Sequence, residues 1–128
     1  KSRVLILNLV AVLLTTIGTL SAQSVLVEAE SFDQTGGWVV DPQFVEQMGS
    51  PYLLAHGMGI PVKNAQTEIE VGSSGLYYVW VRTKNWAPGN WDAPGRFLVS
   101  VGGKNLDNEL GKNNDWNWEY AGKAELSK

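Results

Sequence analysis

Short alternating segments separated by turns are the feature that most limits what this chain can fold into. Apolar and polar residues alternate with a period of two in five segments, VLVEAE, TEIEV, LYYVWVRT, RFLVSV and WNWEYA, beginning at residues 25, 67, 76, 96 and 116. Glycine and asparagine turns such as Gly36-Gly37 and Asn113-Asn114 lie between them, and no long amphipathic helix is apparent. The sequence therefore predicts an all-β fold, either a β-sandwich or a jelly roll.

The first 22 residues have the layout of a secretory signal peptide. Lys1 and Arg3 form a basic start, an apolar stretch follows from Val4 to Ile17, and small residues end at Ala22. The apolar stretch is short beside the ~20 residues that span a bilayer, so we expect no stable membrane span. We interpret 1–22 as a signal peptide and the protein as secreted or periplasmic, with an N-terminal membrane anchor as the alternative.

The other end of the chain, Ala124–Lys128, looks like the start of a further strand. A sandwich without its last strands would expose an open sheet edge, where other chains can pair. We therefore expect residues 23–128 to be a β-jelly-roll module that is incomplete at its C-terminus and belongs to a longer protein.

Charge and cysteine content exclude several classes of function. Removing the signal peptide takes away two of the 10 basic residues and none of the 13 acidic ones, which leaves an acidic module. Nucleic-acid binders need a basic surface, so we expect no nucleic-acid partner. The absence of cysteine excludes disulfides and thiolate metal ligands within this sequence.

No catalytic set is visible. His56 is the single histidine, and the nucleophile-elbow, zinc-protease and dinucleotide-binding motifs are absent from the sequence. Neighbouring acids on one strand cannot flank a glycosidic bond, because working pairs face each other across a cleft. We interpret residues 23–128 as non-catalytic.

Glu28 and Glu30 are the candidate metal ligands. On a strand, their carboxylates would project to one side about 7 Å apart. Two such carboxylates repel unless they meet a cation, share a proton or face water. Hard oxygen ligands suit Ca²⁺. From spacing alone, a solvated edge strand and a calcium site both remain open.

Two strands carry aromatic residues on one face. In 76–82, Tyr78, Trp80 and Arg82 lie opposite a β-branched face that is suited to the core. This aromatic ladder either binds a flat ligand or is covered by a loop. The strand over 116–121 likewise places Trp116, Trp118 and Tyr120 on one face, either as core or as part of a cleft.

The loop RTKNWAPGNWDAPGRF contains Trp86 and Trp91 among rigid prolines. Asn90 and Asp92 add polar groups beside the rings. Sugar rings stack on aromatic faces and hydrogen-bond to amides and carboxylates, so these four residues are the candidate carbohydrate-binding set. The alternative is that the tryptophans close one end of the sandwich or contact another domain.

The order of VEAESF, GGW, GLYYVWVR, APGRF and WNWEYAG resembles carbohydrate-binding modules of families 6 and 35. It is more similar to the N-terminal module of large secreted Bacteroidetes proteins, which carry a FAD-dependent oxidoreductase domain and are often described as xanthan lyase-like. The resemblance implies a structural calcium held by Glu28 and Glu30, with a further aspartate ligand beyond Lys128. FAD would belong to a downstream domain only.

We therefore expect a non-catalytic, glycan-binding accessory module whose partners are a glycan or polysaccharide and a catalytic domain of the same chain. One alternative is the N-terminal part of a FAD-dependent oxidoreductase or polysaccharide lyase, in which this module mainly packs on the catalytic domain. Another alternative is a protein-interaction module that uses the aromatic loop.

Overall fold

The computed structural model describes residues 23–87 and 92–128, and strands dominate this part of the chain. Strands account for 34% of it and helices for 7%. The all-β prediction is thus confirmed at the level of a small β-rich fold. The predicted signal peptide lies outside the described residues. Within the described ranges, no helix has the length and apolar character needed to cross a bilayer.

The strands of the described residues form three antiparallel pairs. The first pair joins β1 (Trp38–Asp41) to β2 (Tyr52–Ala55). The longest pair joins β3 (Gly75–Thr83) to β6 (Asn117–Leu126), and the shortest joins β4 (Ser100–Val101) to β5 (Lys104–Asn105). A 3-10 turn at Ala29–Ser31 and the short helix α1 (Val45–Met48) complete the elements.

The predicted strands differ in how well they match these elements. Those over 76–83 and 116–121 are confirmed by β3 and β6, whereas the one over 96–101 is reduced to β4. The strand predictions over 25–30 and 67–71 are wrong, since residues 25–28 and 67–71 belong to no element. Alternation alone does not make a strand, because a ladder also needs a partner strand at hydrogen-bonding distance.

The central core lies on one side of the β3–β6 pair. Leu106, Leu110 and Ala121 are buried there. Partly buried apolar residues pack around them: Val79, Val81, Phe97, Val99, Val101 and Ala124. The odd-numbered face of β3 therefore faces the core, as its β-branched residues predict.

A second cluster is aromatic and lies between α1 and β2. Tyr52 is buried, with its ring 5.0 Å from that of Trp116 and 6.0 Å from that of Phe44. Lys84 Nζ lies 4.5 Å from the centre of the Phe44 ring. Trp116 thus belongs to this cluster, as the core interpretation predicts, and stays separate from the surface aromatics of β6.

The glycine pair of the GGW motif allows two segments to cross closely. Gly36 has a positive φ of 61°, and a Cβ on it would collide with the backbone of Lys63 and Asn64. Gly37 N donates to Lys63 O at 3.0 Å. This crossing places Trp38 against Phe97, with ring centres 5.7 Å apart.

Candidate functional site: the aromatic face of β3 and β6

The even-numbered face of β3 is covered at one end and open at the other. Arg82 donates to the carbonyl oxygens of Gln47 at 2.9 Å and Met48 at 3.4 Å, at the C-terminal end of α1. Carbonyl groups at a helix C-terminus lack partners within the helix and carry partial negative charge, so a guanidinium is a suitable donor there. This contact anchors the α1 segment, which we define as residues 43–48, over the Arg82 end of the strand.

Trp86 continues this covered end beyond β3. Its indole Nε1 donates to the Gln43 side-chain oxygen at 3.2 Å, and its ring lies 6.5 Å from that of His56. The side chain still remains 43% exposed. The α1 segment therefore holds the edge of Trp86 while part of its ring faces solvent.

The part of this face that α1 leaves uncovered displays a group of large aromatic side chains. We name this group the aromatic face and define it as Tyr78, Trp80, Trp118 and Tyr120. Cross-strand pairing of Trp80 with Tyr120 places both on one side of the sheet, and Trp118 lies opposite Arg82 on that side. Tyr78 is 64% exposed, Trp80 55% and Trp118 57%.

Tyr120 joins the rings of β3 into a row. Its ring centre lies 5.1 Å from that of Trp80, with planes inclined by 47°. It lies 6.4 Å from that of Tyr78, with planes inclined by 34°. Exposed aromatic surface is costly in water, so a row left open on the surface is a candidate binding site.

A β-bulge lies in the middle of this row. The register shifts between Val79 and Trp80, so that Val79 pairs with Gly122 and Trp80 with Tyr120, leaving Ala121 unpaired and fully buried. A bulge increases local twist and re-aims the side chains that follow it. Tyr78 and Tyr120 lie on either side of the bulge, and their ring planes are inclined by 34°.

The bulge also changes which side chains of β6 share the aromatic face. Tyr78 pairs with Lys123, and Leu76 pairs with Glu125. Both charged residues are exposed. An unbroken register would turn them to the core side, because successive residues of a strand alternate between faces. The aromatic face is therefore bordered by one donor and one acceptor side chain.

The four residues of the predicted carbohydrate-binding loop are only partly described. Asn90 and Trp91 lie outside the described residues. Asp92 is exposed, and its carboxylate lies 3.4 Å from Arg96, which also approaches Glu109 at 3.9 Å. Trp86 and Asp92 remain predictions as sugar ligands.

The two predicted calcium ligands lie at a 3-10 turn and not on a strand. Glu28 precedes the turn and Glu30 lies within it, so the same-face argument for their carboxylates does not apply. Glu28 is exposed and lines an open depression together with Glu70 and Ile69. The residues described contain no group of three or more acidic or histidine side chains able to hold a metal ion. Calcium binding by Glu28 and Glu30 stays a prediction.

A hydrogen bond ties β1 to the aromatic cluster between α1 and β2. The Tyr52 hydroxyl donates to Asp41 Oδ1 at 2.7 Å, and Gln43 N donates to the same oxygen at 2.8 Å. These two donors lower the pKa of Asp41 below its usual value of 3.8. Burial of the phenol, reinforced by the neighbouring carboxylate, raises the pKa of Tyr52 to about 12. The pair stabilises the turn that leads into α1.

The sequence predicted which aromatic residues share the aromatic face, but it did not predict what covers or borders them. The alternation in β3 left a ligand site and a covered face as alternatives, and the structure shows cover at Arg82 and exposure at Tyr78 and Trp80. The sequence of β6 did contain a sign of the bulge. Its aromatic residues, Trp118 and Tyr120, have even numbers, whereas its exposed charged residues, Lys123 and Glu125, have odd numbers. Such a change of parity along a strand indicates a bulge.

No protein-family model matches the chain, and no curated protein or solved structure is significantly similar to it.

Proposed function

We propose that this chain is a non-catalytic, glycan-binding accessory module with a jelly-roll fold, and that the aromatic face is its principal glycan contact. The observation that carries the proposal is the row formed by Tyr78, Tyr120 and Trp80 on an open sheet face. Aromatic rings offer flat apolar surfaces to the C–H faces of sugars, and polar groups beside them orient the ligand.

The border of the aromatic face favours a glycan over a protein as its ligand. Lys123 and Glu125 lie on the same side as the rings and belong to the rim of any complex formed there. Covering these charges with an apolar protein surface would cost free energy unless each found a partner. Sugar hydroxyls both donate and accept hydrogen bonds, so they can hydrogen-bond to Lys123 and Glu125 while some water remains at the contact.

Two tryptophans, Trp116 immediately before β6 and Trp118 within it, provide a matched test of this proposal. Trp118→Ala removes a ring that is more than half exposed, so we expect weaker glycan retention with little change in melting temperature. Trp116→Ala removes a ring packed against Tyr52 and Phe44, so we expect a loss of about 3–5 kcal/mol in the free energy of unfolding. A glycan-array screen of the purified protein, followed by equilibrium binding and thermal unfolding, gives both readouts. Unchanged glycan binding by Trp118→Ala and Trp80→Ala would contradict the proposed contact.

The predicted loop site can be separated from the aromatic face in the same assay. If Trp86 and Asp92 form a second contact, Trp86→Ala weakens binding while Trp80→Ala leaves a residual affinity. Their roles, and those of Asn90 and Trp91, remain part of the proposal.

A second candidate function is a contact surface for another domain, including the downstream catalytic domain implied by the resemblance. It is favoured by exposed apolar residues away from the aromatic face, namely Val39, Val40 and Ile60. Association of the protein with its downstream domain, abolished by Val40→Asp and unaffected by Trp80→Ala, would support this role.

A further inference from the structure

We infer that the aromatic face recognises single, soluble glycan chains of at least two sugar units and does not bind crystalline polysaccharide surfaces. This inference rests on the proposed function and names the physical form of its ligand. It depends on the relative orientation of three rings: Tyr78, Tyr120 and Trp80.

The three rings do not lie in one plane. The Tyr120 plane is inclined by 34° to that of Tyr78 and by 47° to that of Trp80. A crystalline surface presents its sugar rings in a flat array, so only coplanar aromatic rings can all contact it at once. On this face, contact with one ring would lift at least one neighbour away from a flat surface.

A single chain can follow the inclination of the rings. Rotation about glycosidic bonds turns each sugar unit relative to the next, and the chain can therefore present successive faces to successive aromatic rings. The separations of 5.1 Å and 6.4 Å between ring centres are comparable with the length of one pyranose unit. One sugar can cover one ring at a time, so affinity should rise from monosaccharide to oligosaccharide.

The bulge adds twist to the backbone that carries these rings. The register shift lies between Val79 and Trp80, directly between the two rings that β3 contributes. Bulges increase the right-handed twist of the strands that carry them. Gly122, at the bulge, has a φ of 144°, and a Cβ there would lie 3.0 Å from Leu106 Cβ. The bulge thus lies over a closely packed part of the core, and its twist is present before any ligand binds.

The test compares soluble and crystalline forms of related glycans. Affinity gel electrophoresis measures retardation of the protein by soluble xyloglucan, mixed-linkage glucan, glucomannan, arabinoxylan, galacturonan and alginate. Sedimentation with crystalline cellulose and crystalline chitin measures binding to flat surfaces. Titration with mono- to hexasaccharides of the best soluble ligand measures the dependence on chain length.

We expect at least one soluble polysaccharide to retard the protein in the gel, and we expect neither crystalline polysaccharide to remove the protein from solution. Affinity should rise at least tenfold from the monosaccharide to the trisaccharide. Trp80→Ala should lower the affinity at least tenfold, whereas Leu98→Ala, an exposed apolar residue outside the aromatic face, should leave it unchanged. Depletion by crystalline cellulose or chitin that equals or exceeds soluble binding would overturn the inference and leave the proposed function standing. Absence of binding to both forms would overturn the proposed function and the inference with it.

Discussion

At the scale of single residues, the position of a side chain relative to α1 decides what that side chain can do. Tyr78 and Arg82 project from the same face of β3, yet Tyr78 remains open to solvent while Arg82 donates to the carbonyl groups of Gln47 and Met48. The same distinction separates Trp116, packed against Tyr52, from Trp118 two residues later. Neighbouring residues thus differ in role because only some of them contact residues 44–48.

The Tyr52–Asp41 pair leads to a prediction about pH. The folded-state pKa of Tyr52, about 12, is above the ordinary tyrosine value of 10.0, so its stabilising contribution is present below pH 10 and is lost as pH rises towards 12. The pKa of Asp41 is depressed, so its contribution is present above pH 3.8 and is lost as pH falls below that value.

Tyr52→Phe checks the alkaline limb. We expect tyrosinate absorbance of the folded wild type to include an ionisation step near pH 12, and we expect Tyr52→Phe to remove that step. Urea unfolding should lose stability less steeply between pH 10 and 12 in the variant than in the wild type. Retention of the ionisation step near pH 12 in Tyr52→Phe would assign that step to another residue.

At the scale of elements, the β3–β6 pair carries both the central core and the aromatic face. The bulge at Ala121 makes this possible, because it keeps Ala121 and Ala124 on the core side while moving Lys123 and Glu125 to the open side. The α1 segment then limits how much of the open side remains available. The candidate site is therefore a property of three elements together.

Gly122→Ala tests the bulge. A residue with a side chain is strained at a φ of 144°, and its Cβ would approach Leu106 Cβ at 3.0 Å and Asp107 N at 3.1 Å. We expect a loss of more than about 1 kcal/mol in the free energy of unfolding, measured by chemical denaturation. Gly49→Ala is the control, because Gly49 also has a positive φ of 85° but no atom near its would-be Cβ. Equal losses in the two variants would show that close packing at the bulge adds nothing to backbone strain.

At the scale of the whole molecule, the described residues combine a small buried core with many exposed apolar side chains. The buried apolar residues are Tyr52, Leu54, Val71, Leu106, Leu110 and Ala121. Exposed aliphatic residues such as Val40 and Ile60 lie outside the aromatic face. A chain of this kind gains stability from any ligand that binds only its folded state.

Calcium is the predicted ligand that would stabilise the folded protein by binding only to it. The carboxylates of Glu28 and Glu30 supply at most four of the six to eight oxygen ligands that Ca²⁺ takes. We therefore expect weak binding, with the melting temperature of EDTA-treated protein rising only at millimolar calcium. Glu28→Gln should abolish this rise, and Glu68→Gln, a control at another exposed acid, should preserve it. A melting temperature independent of calcium would contradict the assignment.

The sequence by itself determined the β-rich class and the core face of β3. Both follow from a period of two, a local property that can be read in the order of residues. The strands predicted over 25–30 and 67–71 were wrong because their alternation is not matched by a partner strand.

Only the tertiary structure decided that α1 covers Arg82, that the bulge turns Lys123 outward, and that Tyr120 lies between Tyr78 and Trp80. Each of these depends on contacts between segments more than 30 residues apart in the chain, and a local pattern contains no information about which distant segment will supply the contact.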